Sequence, residues 1–268
     1  MRIAAQPSVR PVKPRRSWAV PAGVVIFLVV TALSLSEQYG IGFDLGALIE
    51  DIGRGSEIIG ELLSPNWEFL PRTIRPMIET IQMAILAAVL GCSMALPVAF
   101  LASRVTAPNR IVLNLDRGVL SVVRAIPDIL YALIFVAAIG VGPLPGIVAL
   151  ILFNIGVVAK LLSETVDGVD RGPIEAAQAS AATRTQTVRW AVLPQVLPHY
   201  VAYSLYAFEL NVRASTVIGI VGAGGIGQLL YTQYQFFAWS NVSVIVIELF
   251  FAVLLIELLS IALRRRIT

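Results

Sequence analysis

The 268-residue chain has one cysteine, one histidine and two lysines. Cys92 alone excludes an internal disulfide, and its place in an apolar run reads as a small buried hydrophobe. Cys92 and His199 together cannot build the usual zinc cages, so a metal site is not expected. Neither Lys13 nor Lys160 follows a glycine, so the phosphate-cradling series G-x-x-x-x-G-K-S/T does not occur. Any nucleotide that drives this protein is therefore expected on another subunit. No set of converging nucleophile and base is visible, which argues against a membrane enzyme. Charge is scarce as well: 14% of residues are Asp, Glu, Lys or Arg, against 57% hydrophobic. A soluble domain cannot hide that much apolar surface, so the expected solvent is the bilayer.

A spanning helix needs about 20 apolar residues. Six runs satisfy this, over residues 19–36, 80–103, 119–140, 146–162, 199–221 and 241–263. The expected fold is an all-α membrane protein with six crossings. The first run, preceded by Arg2, Arg10, Lys13, Arg15 and Arg16, also has the outline of a signal peptide, but no small-x-small cleavage site follows it. The third run is broken only by Arg124 and Asp128, which would share one helix face. The glycine- and proline-rich series Gly140–Gly146 reads as a tight turn before the fourth run.

Basic residues orient the crossings. The amino end, the second connection (Arg104, Arg110, Arg117), the region around the fourth connection (Lys160, Arg171, Arg184, Arg189) and the tail (Arg264, Arg265, Arg266) carry most of them. The other side has Arg54, Arg72 and Arg75, with seven acids between Glu37 and Glu68. The positive-inside rule then places both termini and the loop 164–198 in the cytoplasm. The net charge of +3 is a topology signal on this reading and does not point to nucleic acid. The resulting map is a basic amino terminus (1–18), a first crossing (19–36), an external segment (37–75), a core (76–263) and a basic tail (264–268). In the external segment Leu45, Leu48, Ile49 and Ile52, then Ile58, Ile59, Leu62 and Leu63, recur at near-helical spacing. That pattern suits one or two amphipathic helices on the outer surface, either as a plain connection or as a docking surface.

Between the fourth and fifth runs lies a polar island, Ile174 to Pro194. Pro173 after Gly172 suits a helix start, where a missing N–H costs nothing. Glu175 falls in the first turn, where the helix dipole favours an anion. Ala176, Ala177 and Ala181 keep the helix thin enough for another protein to approach its backbone. Thr183-Arg184-Thr185-Gln186 is a capping-box pattern for a second helix. Pro194 and Pro198 are expected to end or kink that helix before the fifth crossing.

Glu175-Ala176-Ala177 with Leu193-Pro194 at this spacing resembles the coupling loop of bacterial ABC-importer permeases. Ala181 stands where that family has Gly, and Ala191 where it usually has Ile or Val. If Ala181 replaces a glycine without strain, its φ is negative. The resemblance extends to Glu79-Thr-Ile-Gln-Met-Ala, Arg124-Ala-Ile-Pro127-Asp128, Gly140-Val-Gly-Pro143, Gly156 to Glu164, Gln195-Val-Leu-Pro198, Phe208 to Arg213 and Gly222 to Gly227. These series, spread over residues 67–230, are similar to the phosphonate-importer permeases within the type I importer family. The resemblance implies a five-helix core plus one amino-terminal helix in the bacterial inner membrane. It implies a second permease copy, two cytoplasmic ATPases that hold ATP and Mg, and an external phosphonate-binding protein. Related members handle phosphite or hypophosphite, and a permease for another small solute such as methionine is the nearest rival. A secondary transporter is a further alternative, but such folds carry inverted repeats, and no second copy of the coupling series is present.

Gly222, Gly224 and Gly227 also match G-x-G-x-x-G, yet a dinucleotide site needs a strand before it and a βα unit around it. At the outer end of a spanning helix these glycines, with Gly225, read as close backbone packing or a bend where the pathway opens. Glu209 and Arg213 are four apart, in the favoured acid-first order. Like Arg124 and Asp128, they fit either mutual neutralisation in a packed bundle or a polar pathway for an oxyanion. Asn211, Ser215 and Thr216 would add hydrogen-bonding groups near Arg213. Glu248 and Glu257 read as structural partners.

Overall fold

The computed structural model describes residues 18–36, 41, 46 and 52–267. The basic amino terminus and most of the segment from Glu37 to Asp51, including Leu45, Leu48 and Ile49, lie outside the described residues. Backbone packing divides the chain into two units, Met1–Glu57 and Ile58–Thr268. In the first unit α1 covers Ala19–Leu35 and is apolar on every side. Its hydroxyls are satisfied within the helix, Thr31 donating to the Phe27 carbonyl and Ser34 to that of Val30. Helix α2 (Ile52–Leu62) starts before the division and ends after it. It is the described part of the expected amphipathic segment.

The second unit continues with a short 3₁₀ turn, Trp67–Phe69, and then α3 (Leu70–Leu101), α4 (Arg110–Ala125), α5 (Asp128–Ile139) and α6 (Pro143–Asp167). After these come α7 (Gly172–Ala179), α8 (Arg184–Thr187), α9 (Leu193–Gly219), α10 (Gly225–Gln235) and α11 (Trp239–Ile267). All regular structure among the described residues is helical.

The core is a triple packing of α3, α6 and α9. Helices in a bilayer gain little from apolar burial against one another, so close approach of small residues decides the contact. Ala84, Ala87, Ala88, Gly91, Ala95 and Ala99 supply it on α3, and Ala149, Gly156 and Ala159 on α6. Two buried amides pin the triple. Asn154 of α6 donates to the Ala87 carbonyl at 2.9 Å, and Asn211 of α9 donates to that of Ala84 at 3.2 Å.

Three helices, Trp67–Leu101, Pro143–Asp167 and Trp239–Arg266, are long and apolar enough to cross a membrane. The third sequence run is not one helix. Pro127 forces Ile126 into an extended conformation (φ −90°, ψ 123°), and α4 and α5 meet at 84°. As one broken span they bring the count to four. Arg124 and Asp128 therefore do not share a helix face. Arg124 closes α4, while the Asp128 carboxylate caps the start of α5 by accepting from the Ile129 N–H at 2.9 Å.

The fifth run begins earlier than expected, because Pro194 and Pro198 do not end it. Pro194 lies in the first turn of α9 and Pro198 inside it. The missing N–H of Pro194 is accommodated just upstream by a π turn, Val188–Val192, closed by the Leu193 N–H on the Val188 carbonyl. Helix therefore runs from Arg184 to Gly219 without a break.

Hydrogen bonds define the two ends of this unit. At one, Asp167 meets Ser103 and Arg104, and Arg184 meets Thr106 and Pro108. At the other, the Gly142 N–H donates to the Gly222 carbonyl, and Asn66 donates to Asn241. Of the basic residues that the sequence assigned to one side, Arg104, Arg117 and Arg184 meet at the first end.

Candidate functional site

The polar island folds as a hairpin at the basic end, on a rigid base. The Asp167 carboxylate accepts from the Ser103 hydroxyl (2.7 Å), the Arg104 N–H (2.6 Å) and the Arg117 guanidinium (2.8 Å). Arg117 also donates to the Ala102 carbonyl at 2.7 Å. One carboxylate thus ties together the basic-end segments of α3, α4 and α6.

Helix α7 projects from this base. Ile174 and Ala177 pack on the core with Val166, Ala191 and Val192, while Pro173, Glu175, Ala176 and Ala179 remain exposed. A partly open cavity of about 410 Å³ beside it is lined by Arg104, Asp167, Arg171, Glu175 and Gln178.

The C-terminus of α7 is a Schellman closure. The Ala182 N–H donates to the Ala177 carbonyl and the Ala181 N–H to that of Gln178, both at 3.0 Å. This pattern requires a left-handed residue at its centre, and Ala181 occupies it with φ 56°. The expected negative φ is wrong. The chain keeps the glycine conformation with an alanine, at the cost of backbone strain.

Thr183 and Gln186 then form the expected capping box. The Thr183 side chain accepts from the Gln186 N–H, and the Gln186 side chain accepts from the Thr183 N–H at 2.8 Å. Arg184 locks this second arm to the α3–α4 connection by donating to the carbonyls of Thr106, Ala107 and Pro108. Leu193 is half-buried and Pro194 exposed at the start of α9.

At the other end the glycine series forms a bend between α9 and α10. Gly222, Gly224 and Gly225 have φ of 91°, 82° and 71°. The first N–H groups of α10 are satisfied by α3. Gly225 donates to the Glu79 carboxylate at 3.1 Å, and Ile226 to the Thr80 hydroxyl at 2.8 Å. Gly227 packs so closely on α9 that a Cβ there would collide with the Thr216 carbonyl oxygen. No strand precedes the glycines among the described residues, so the dinucleotide reading fails on context.

Of the charges within the bundle, Glu209 and Arg213 pair at 2.8 Å as their spacing requires. Helix α11 adds two partners that the sequence reading did not join to them. Glu257 lies 3.3 Å from Arg213, and Arg264 lies 3.4 Å from Glu209. The result is a chain of alternating charge, Glu257–Arg213–Glu209–Arg264. The Glu209 side chain is 8% exposed, whereas those of Arg213 and Glu257 are 48% and 44% exposed.

None of the three neutral candidates bonds to Arg213. Asn211 is buried against α3, and the hydroxyls of Ser215 and Thr216 bond back to their own helix. Thr216 nonetheless lines a groove of about 390 Å³ with Arg213, Glu257, Phe250 and Leu254. The sequence could not supply Glu257 or Arg264 as partners, because helix register between α9 and α11 is a tertiary property.

Residues 95–268 match the family model described as "binding-protein-dependent transport system inner membrane component". The chain is similar to the phosphite transport system permease protein PtxC of Stutzerimonas stutzeri, 38% identical over 222 residues, covering 83% of this chain and 81% of the relative. It is similar to the phosphate-import permease protein PhnE of Mycolicibacterium smegmatis, 37% identical over 211 residues, covering 78% of this chain and 40% of the relative. Among solved structures it is similar to a chain of the methionine ABC transporter MetNI in an inward-facing conformation. That match has TM-score 0.68 and 25% identity, covering 76% of this chain and 99% of the other.

Proposed function

The chain belongs to the family of binding-protein-dependent transport system inner membrane components, and on that premise we propose that it carries phosphorus oxyanions, phosphonate among them, across the bacterial inner membrane. It is the permease subunit of an ABC importer. Two copies would enclose the pathway, each contributing a five-helix core and the amino-terminal helix, with both termini in the cytoplasm. Separate ATPases would bind ATP and Mg at the basic end, and an external binding protein would deliver the anion at the other.

The exposed helix α7 carries this reading. Its buried side holds only Ile174 and Ala177, and its outward side presents Pro173, Glu175 and Ala176 on a base fixed by Asp167. Small side chains let an ATPase surface reach the backbone, and the fixed base turns a push on α7 into movement of α6 and α9. Closing the ATPases around ATP would thereby switch the bundle between states open to either side. Arg124, Asp128, Glu209 and Arg213, with Thr216, are the groups proposed to meet the anion. Asn211 and Ser215 act on it only through the packing of α9 against α3. The glycine bend at Gly222–Gly227 is the proposed outer gate. The relatives' names, phosphite and phosphate, and the resemblance to phosphonate permeases support one substrate shape, a tetrahedral phosphorus oxyanion.

The test is ATPase stimulation of the reconstituted complex by its loaded binding protein, ligand by ligand. Methylphosphonate, phosphite or phosphate should raise the rate, and methionine or sulfate should not. Stimulation by methionine alone would assign the chain to another solute class.

A further inference from the structure

We infer that Glu257 is a displaceable counter-ion on Arg213, and that the transported oxyanion takes its place during passage. The inference rests on the oxyanion reading above. The two acids that hold Arg213 are not equivalent. Glu209 is buried, lies 2.8 Å from Arg213 and is held from its other oxygen by Arg264. Glu257 is half-exposed, sits 0.5 Å farther away at 3.3 Å, and has Arg213 as its one ion-pair partner among the described residues. An anion approaching Arg213 competes with the weaker contact, so Glu209 stays and Glu257 yields.

The surroundings support an exchange rather than a permanent pair. Glu257 lies six residues before the end of the sixth apolar run, about 9 Å of helix inside it. At that depth a half-exposed charged pair does not face lipid, so this side of α9 and α11 is turned to protein or to an aqueous path. The groove beside it has about 390 Å³ and mostly apolar walls, so among the described residues Arg213 is the one cation an anion entering it would meet. A guanidinium fork pairs two phosphorus-bound oxygens at once, which a single carboxylate oxygen at 3.3 Å does not match. Glu257 would then set a threshold. A weakly held anion fails to displace it, and Glu257 returning to Arg213 expels the passenger.

The experiment uses the assembled complex without its binding protein and follows ³¹P line broadening by methylphosphonate, phosphite and phosphate. Glu257→Gln removes the competing charge and keeps the shape. It should tighten oxyanion binding about fivefold, the scale of a partly exposed charge pair, and slow maximal uptake because release loses its competitor. Glu257→Asp, which keeps the charge, should restore near-native uptake. Unchanged affinity in an assembled Glu257→Gln complex overturns the inference. If that variant does not assemble, the neutral pair Arg213→Gln with Glu257→Gln replaces it. That pair must lose the binding shown by the native complex, and retained binding overturns the inference as well. Failure of the substrate reading shows separately, as a native complex whose ATPase answers to none of the three phosphorus anions.

Discussion

Replacing Ala181 by glycine tests the docking hairpin where its sequence and conformation disagree. Ala181 sits at φ 56° because the Schellman bonds from Ala181 and Ala182 to Gln178 and Ala177 require it. A left-handed conformation costs an alanine about 1–2 kcal/mol. Glycine removes that cost but gives the unfolded chain more freedom, worth about 0.4–1 kcal/mol in the opposite direction. The net gain is about 0.7 kcal/mol, or about threefold in the local opening equilibrium. Ala181 is exposed, so no packing change enters the comparison. Hydrogen exchange of peptides covering residues 176–187 should therefore slow about threefold in Ala181→Gly. Ala181→Val should accelerate it, since a β-branched residue is worse in this conformation. Equal or faster exchange in the glycine variant would refute the strain argument, and with it the assignment of Ala181 as a glycine substitute.

Glu175→Lys reverses charge at the start of the exposed helix, and we expect ATP-driven uptake to fall at least about tenfold with insertion unchanged. Native uptake in that variant would count against docking at α7. The double change Glu209→Gln with Arg213→Gln should assemble but fail to import while basal ATPase activity persists. Import at the native rate would make the pair packing only. Arg213→Ala alone should cost less than the about 3–5 kcal/mol of a broken buried pair, because Glu209 keeps Arg264 at 3.4 Å. Thermal denaturation of the purified subunit measures it. Gly227→Ala should destabilise by about 1–3 kcal/mol or more, the cost of overpacking, since its Cβ would meet the Thr216 carbonyl. Gly60→Ala, with nothing within 4 Å, is the matching control.

Apolar run length located α1, α6 and α11, because the bilayer demands it, and α6 and α11 each extend only a few residues past the runs at either end, but the six expected crossings come to three long apolar helices, or four with the bent pair, among the described residues. The capping box at Thr183 and the Glu209–Arg213 pair were legible for the same reason: both are contacts within four residues. What failed were inferences in which one local rule met a tertiary one. Pro127 broke a helix that apolarity alone had made continuous. Pro194 and Pro198 did not break theirs: Pro194 falls in the first turn of α9 just after a π turn, and the helix runs on through Pro198. Ala181 kept a positive φ because two hydrogen bonds outweighed its side-chain preference. The Asp167 node joins residues 50 to 64 positions apart, and no spacing in the chain announces it.

The unbroken helix from Arg184 to Gly219 has a mechanical meaning. It is about 50 Å long, begins inside the hairpin that projects at the basic end, and stops at the glycine bend on the opposite side. A continuous helix can carry a twist from Arg184 toward Gly219, with the π turn at Val188–Val192 as its one irregular stretch. The bend, where Gly222, Gly224 and Gly225 occupy conformations other residues resist, is the first place along the shaft where that rotation can be absorbed. The exposed hairpin and the glycine bend are thus geared to each other by a single stretch of backbone, and the π turn marks where the shaft can slip by a residue.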